Sequence, residues 1–473
     1  MPAETDPTVF IVYGATGDLA KRMVLPAFYA LYLNDLLPQR WTLIGNGRGD
    51  VAHEDFRAHF HDSLVEFDAT PEPEQWESFA AHLLFAGGGF RSEDPGSLLD
   101  VIDTTRDSLG DGADLIHYLA IPPSAFAPTT EAIKTHGLNT GAKAVYEKPY
   151  GESLESFEEL DALVHDAFEE EQIFRIDHFL GKEATQNVHM LRFANRLFGG
   201  TWNSEFVSEV QIDVPETLDI ADRAEFYDAT GAALDMLVTH LFQVAAEVAM
   251  EPPTSFAAAD LQFARESVIA AFRPLDPDEV VLGQFQTYRQ TEGIADDSTT
   301  DTFVAARLWV DTDRWRGVPF LLRTGKRLAA SAERVSLVFR QAEGPLHSTG
   351  RHHGALSFDL SGTGAIELAM TVKRPGPVLE PDETDNVLRL DKVAPDGLAP
   401  YTSLLHDVIA GDRSLFTSSE GLRSAFTAFA PLQGPLRPSV ISYPDDSWGP
   451  EEAEALAGPH GWLLSSGGQA AQG

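Results

Sequence analysis

The segment that most restricts the fold lies near the amino-terminal end. Residues Thr8 to Tyr13 read Thr-Val-Phe-Ile-Val-Tyr, and Gly14-Ala-Thr-Gly17-Asp18 follows at once. An unbroken apolar, β-rich run predicts a strand buried on both faces, the habit of parallel sheets covered by helices. Gly14 permits a tight turn and Gly17 lets the backbone approach a pyrophosphate. The helical pattern from Leu19 to Leu33 then offers unpaired N–H groups at its start. Ala20 keeps that helix close to the sheet. Two glycines before a helix also mark ordinary turns, so the context has to carry the reading.

That context recurs downstream. A second strand is expected at Trp41–Gly45, a third at Leu115–Ile121 and a fourth at Lys143–Glu147, with helices at Val51–Leu64 and Ser124–His136. Alternation of this kind implies an α/β, Rossmann-like dinucleotide-binding domain over residues 1–175. After the second strand, Gly45-Asn-Gly-Arg48 presents a guanidinium where an NAD-specific site usually presents an acid. Arg48 suits the 2′-phosphate of NADP, with a surface arginine as the plain alternative. NADP is the expected cofactor and NAD the alternative.

Residues 176–464 have another texture. Strand-like runs occur at Glu209–Val214, Thr302–Val310, Val335–Phe339, Ala355–Leu360 and Ala365–Val372, and the last four alternate as antiparallel strands do. Helices are expected at Arg175–Phe198, Ala229–Ala249 and Thr402–Ile409. A larger α+β domain with a mainly antiparallel sheet follows, holding substrate and subunit contacts. The tail 465–473 is expected to be disordered. No internal repeat is present.

The formal charge of −39 argues against nucleic acid or anionic membrane as partners. An anionic ligand must then be met by cations gathered locally. The lysines are Lys21, Lys134, Lys143, Lys148, Lys182, Lys326, Lys373 and Lys392, and Lys21, Lys148, Lys182 and Lys326 fall inside the motifs below. Salt adaptation or solubility accounts for the acidity. The first residues are polar and acidic, no apolar stretch approaches the roughly 20 residues of a membrane span, and cysteine is absent. A cytoplasmic protein is expected. No metal centre is expected either, since the adjacent His352 and His353 have no partner at ligand spacing.

Four motifs are specific. Tyr13-Gly-Ala-Thr-Gly-Asp-Leu-Ala-Lys-Arg22, Glu147-Lys-Pro-Tyr-Gly151, Arg175-Ile-Asp-His-Phe-Leu-Gly-Lys-Glu183 and Arg323-Thr-Gly-Lys-Arg327 appear in that order. Tyr118-Leu-Ala-Ile-Pro-Pro123, Arg192-Phe-Ala-Asn195, Trp202-Asn203, Asp297-Ser-Thr-Thr300 and Trp448-Gly-Pro450 accompany them. Together they resemble the glucose-6-phosphate dehydrogenase family over nearly the whole chain. The resemblance implies oxidation of D-glucose 6-phosphate at C1 to 6-phospho-glucono-1,5-lactone with NADP, the entry to the pentose phosphate pathway, in a homodimer or homotetramer. A dehydrogenase of another aldose or aldose phosphate, and a catalytically silent sugar-phosphate-binding regulator, are the alternatives.

The family's roles transfer residue by residue. Oxidising a hemiacetal needs a base near neutrality, which suits histidine. His240 borders the apolar stripe Leu234, Leu237, Leu241, Val244, Val248, so by pattern alone it is a core histidine. The resemblance makes it the general base, with Asp177 orienting its ring. His178 and Lys182 are four apart, on one face if that segment is helical, and the resemblance gives them the substrate phosphate. Lys148, Glu216, Asp235 and Lys326 are implied for the sugar. Gly14, Thr16, Gly17, Asp18, Leu19, Arg48, Pro122 and Lys148 are implied for the cofactor. Asp235 and His240 are five apart, about 140° around an α-helix, so a shared ligand would have to lie across the helix flank.

Four positions depart from the family. Met23 and Ser331 stand where cations are usual, Phe179 replaces a tyrosine, and Thr239 replaces an asparagine. Each lost charge-assisted contact removes about 1.5–3 kcal/mol. Arg327 and Arg334 are the candidates to compensate.

Overall fold

The computed structural model describes residues 6–67, 69–110, 112–220, 224–341, 354–392 and 397–464. The tail 465–473 and the pair His352 and His353 lie outside them.

Six parallel strands build the first sheet: β1 (Thr8–Tyr13), β2 (Trp41–Asn46), β3 (Leu83–Ala86), β4 (Asp114–Leu119), β5 (Lys143–Tyr146) and β6 (Ile173–Arg175). Their spatial order is β3-β2-β1-β4-β5-β6, so the winding reverses between β1 and β4. Both faces are covered. Val9, Ile11 and Tyr13 join one apolar core while Phe10 and Val12 join another, as a period of two demands. On the second face the helix Pro400–Ala410 returns from late in the chain, placing Leu404, Leu405 and Val408 beside Phe28. Lys143 Nζ donates to its terminal carbonyls, Val408 O at 2.9 Å and Ile409 O at 2.8 Å. A helix expected with the second half of the sequence is thus packed on the first sheet.

The second sheet has order β14-β13-β12-β11-β7-β10-β9-β8-β15. Its strands are β7 (Val207–Pro215), β8 (Val280–Phe285), β9 (Phe303–Trp309), β10 (Pro319–Gly325), β11 (Arg334–Phe339), β12 (Ala355–Asp359), β13 (Ala365–Lys373), β14 (Pro381–Arg389) and β15 (Val440–Tyr443). Pairing is antiparallel except for β7 with β10 and β8 with β15. The two sheets share one continuous core, which runs from Ile11 through Leu237 and Val244 to Val210 and Leu322.

Two expected helices differ from expectation. Arg175–Phe198 is not one helix: Arg175 ends β6, a turn occupies residues 178–181, and the helix spans only Glu183–Ala194. Arg175 is held in the strand by Asp161 at 2.8 Å and Glu170 at 2.9 Å. Asp177 Oδ1 then accepts the Phe179 N–H at 2.9 Å, a local bond that competes with helix formation. His178 and Lys182 therefore do not share a helix face.

Ala229–Ala249 is interrupted too. Gly231 takes φ +72°, and a Cβ there would meet Asp301 Oδ1 at 2.9 Å. Leu234–Leu241 is then wound as a π-helix and Phe242–Ala249 as an α-helix. The segment Ala224–Ala249 is long and apolar enough to cross a membrane, yet 83% of its most apolar window is buried in the fold. It serves as a core helix.

Candidate active site

The carboxyl ends of β1, β4, β5 and β6 lie on one edge of the first sheet, and Gly14, Pro122, Lys148 and Asp177 follow them there. Gly14 has φ +75°, and a Cβ on it would sit 2.3 Å from Ala120 O beyond β4. Only glycine allows the β1 turn so close to the segment leading to Pro122. Gly17 N donates to Gly14 O at 2.8 Å. Thr16, Gly17 and Asp18 are exposed at the start of the next helix, with Leu19 half-buried behind them. Asp18 Oδ1 accepts from Arg22 Nε at 2.7 Å. A Cβ on Gly47 would stand 3.6 Å from Thr16 Oγ1, so the loop after β2 faces the glycine turn. Arg48 is exposed on that loop, and no ion pair or hydrogen bond holds its side chain among the described residues. A glycine cradle, a helix start and a free guanidinium fit a dinucleotide carrying an extra phosphate.

Lys148 leaves β5 and Asp177 leaves β6 on the same edge. His240 comes from the π-wound segment to meet both. Its Nδ1 lies 2.7 Å from Asp177 Oδ1, and its Nε2 lies 2.7 Å from Lys148 Nζ. His240 and Asp177 are 1% and 2% exposed, so the bond between them is dry. An ammonium can only donate. The hydrogen-bond network therefore assigns the proton to Nδ1, aimed at Asp177, and the lone pair to Nε2. That is the tautomer of a poised base.

Lys148 Nζ also lies 3.1 Å from Asp235 Oδ1. Burial pushes the Asp235 carboxyl up, but Lys148 and then His240 pull harder, and it rests below its ordinary range. His178 stacks edge-on to His240 at 4.6 Å between ring centres. Burial, with His240, Lys148 and Lys182 nearby, holds its imidazole well below the usual value. His178 is thus a neutral donor. Phe179 lies 4.7 Å from His240 on another side, and Lys182 Nζ stands 4.4 Å above the Phe179 ring. Lys182 is ion-paired to Glu333. Lys326 follows β10 and pairs with Glu216, beyond β7, at 2.6 Å.

Asp177, His178 and His240 bring potential ligand atoms within 4.8 Å of one another. The 2.7 Å separation of Nδ1 and Oδ1 is that of a hydrogen bond. Donors across a tetrahedral ion stand about 3.3 Å apart.

Three features were not assigned from the sequence. Glu147, in the Glu-Lys-Pro motif, is buried and accepts from Tyr118 at 2.5 Å and Tyr401 at 3.3 Å. Burial pushes its carboxyl up to about 7. Glu333 carried no motif, and its contact with Lys182 joins residues 151 apart. Tyr227, whose ring lies 5.9 Å from Lys326 Nζ, sat outside every pattern.

Residues 11–187 match the glucose-6-phosphate dehydrogenase NAD binding domain, and residues 189–463 match the glucose-6-phosphate dehydrogenase C-terminal domain. The chain belongs to the glucose-6-phosphate dehydrogenase family. A relative from Mycobacterium tuberculosis, glucose-6-phosphate 1-dehydrogenase 2, is 35% identical over 96% of this chain and 93% of its own. Glucose-6-phosphate 1-dehydrogenase from Aggregatibacter actinomycetemcomitans is 32% identical over 97% of each. Among solved structures, a glucose-6-phosphate dehydrogenase in complex with glucose-6-phosphate superposes with TM-score 0.91 at 28% identity, covering 98% of this chain and all of that one. The Mycobacterium avium enzyme gives 0.85 at 30% identity, covering 97% and 98%.

The four departures from this family now have surroundings. Met23 is 39% exposed. Thr239 Oγ1 donates back to Asp235 O at 2.8 Å. Ser331 Oγ accepts the Thr217 N–H at 2.9 Å. Neither compensating cation is free, because Arg327 pairs with Asp445 at 3.3 Å and Arg334 with Glu367 at 3.0 Å.

Proposed function

We propose that this chain oxidises D-glucose 6-phosphate at C1 to 6-phospho-glucono-1,5-lactone, with His240 as general base and NADP as acceptor. The observation that carries this is the buried pair of His240 and Asp177, with Nε2 directed at Lys148 on the sheet edge that holds the glycine turn. His240 Nε2 takes the proton of the C1 hydroxyl. Asp177 keeps the opposite nitrogen protonated and stabilises the imidazolium that forms. Lys148 gives up its bond to Nε2 and donates to the sugar oxygen. Asp235, Glu216 and Lys326 hold sugar hydroxyls, and His178 with Lys182 holds the phosphate. Gly14, Thr16, Gly17, Asp18, Leu19 and Pro122 would cradle the dinucleotide, and Arg48 its 2′-phosphate. When bound, NADP supplies the acceptor for the hydride that leaves C1.

The experiment is NADP reduction followed by absorbance over a panel of free and phosphorylated aldoses. Turnover with glucose 6-phosphate is expected. Absence of turnover with that sugar, with cofactor still bound, would overturn the reading.

The same reading extends to assembly. β14 is the edge strand of the second sheet, and its Val387 and Leu388 are 50% and 53% exposed. An open edge with apolar residues favours pairing of two copies. A homodimer or homotetramer is expected, and a monomer in sedimentation at micromolar concentration would refute it.

A further inference from the structure

We propose that Glu333 sets how tightly this site holds the substrate's phosphate, by competing with it for the ammonium of Lys182. The proposal rests on the reading of His178 and Lys182 as the phosphate end.

Lys182 is the lasting cation of that pair, since half-buried His178, with His240, Lys148 and Lys182 close by, has its imidazole held well below the usual value. Its ammonium is already taken by the Glu333 carboxylate, and the two side chains are 11% and 27% exposed. Both partners are fixed. Lys182 stands over the Phe179 ring at 4.4 Å. Glu333 sits immediately before β11, and its carbonyl accepts the Leu360 N–H at 2.7 Å.

Among the described residues, no second cation offsets the acid. The loop from Arg327 to Arg334 directs its two arginines to Asp445 and Glu367, and Ser331 supplies a hydroxyl. Lys326 is matched by Glu216. Among the described residues, the phosphate end therefore carries no uncompensated positive charge. A phosphate dianion must displace a carboxylate of like sign, whereas a sugar with a free 6-hydroxyl meets no such opponent. Glu333 thus narrows the preference for phosphorylated over free aldose.

Glu333→Gln keeps the shape and removes the charge. KM for glucose 6-phosphate should fall roughly tenfold, with kcat and KM for free glucose changed less than about twofold. Glu333→Ala should move KM the same way. Inorganic phosphate, titrated calorimetrically into the protein without cofactor, should bind more tightly to both variants than to the parent. A KM for glucose 6-phosphate that stays or rises, or phosphate binding that does not strengthen, overturns the proposal. Phosphate binding decides the matter even if the parent fails to oxidise glucose 6-phosphate, so the two readings fail separately.

Discussion

Asp235 and His240 are five residues apart yet share one ammonium: Lys148 Nζ lies 3.1 Å from Oδ1 of the first and 2.7 Å from Nε2 of the second. On an α-helix such residues diverge by about 140°. The π-winding of Leu234–Leu241 narrows the divergence, because its i→i+5 register brings residues five apart onto one face. A carboxylate and an imidazole thereby face one ammonium from one helix.

If His240 is the base, His240→Asn should lower kcat by about 10²–10⁴ with little change in sugar binding. Asp177→Asn should act similarly, since an amide no longer selects the Nδ1–H tautomer. Steady-state kinetics with glucose 6-phosphate checks both. A His240 variant of normal kcat would remove that imidazole from the mechanism.

If Arg48 meets the 2′-phosphate, it should separate the two nicotinamide cofactors. Exposed, and without a partner among the described residues, its guanidinium should gain a charge-assisted bond only to a 2′-phosphate. Arg48→Ala should weaken NADP by about 10- to 100-fold and leave NAD nearly unchanged. Equal losses in fluorescence titrations with the two cofactors would refute the assignment.

Gly14 cannot carry a side chain without moving the chain beyond β4, given the 2.3 Å approach to Ala120 O. Gly14→Ala should lower stability by about 1–3 kcal/mol and weaken cofactor binding. Denaturant unfolding and NADP titration report the two effects. An unchanged midpoint would show that the turn tolerates a Cβ.

Glu147 titrates at about 7 in the folded chain because burial opposes its charge, against an ordinary value of 4.5. The native state therefore retains a proton between those values that the unfolded chain has lost. Stability falls as pH rises from about 4.5 to 7, by roughly 3 kcal/mol from this group. Glu147→Gln lacks the penalty, so its stability relative to the parent should improve from pH 4.5 to pH 8. Urea unfolding of both proteins at the two pH values measures it, and a constant difference would contradict the assignment.

Much of the first sheet was legible because burial on both faces writes an apolar run into sequence, as at β1. β3 and β6 were not, since Leu83–Ala86 and Ile173–Arg175 are too short to show a period. The Arg175 motif looked helical because the competing bond from Asp177 to its own backbone leaves no trace in residue spacing. The π-winding was invisible for a related reason: apolar periodicity cannot distinguish a locally widened helix. Glu147 and Glu333 were missed because their meaning lies in partners distant along the chain, Tyr401 and Lys182. The glycine turn, by contrast, is local in sequence and was readable.

His240 and Asp177 reach one another from different layers: Asp177 follows β6, the last strand of the parallel sheet, and His240 rides on a helix packed against β10. On the proposed mechanism, the base and the carboxylate that orients it come from different halves of the chain. If that mechanism holds, turnover gauges the docking of the halves, and loosening the seam should silence chemistry while the glycine turn, built wholly from one half, keeps its shape.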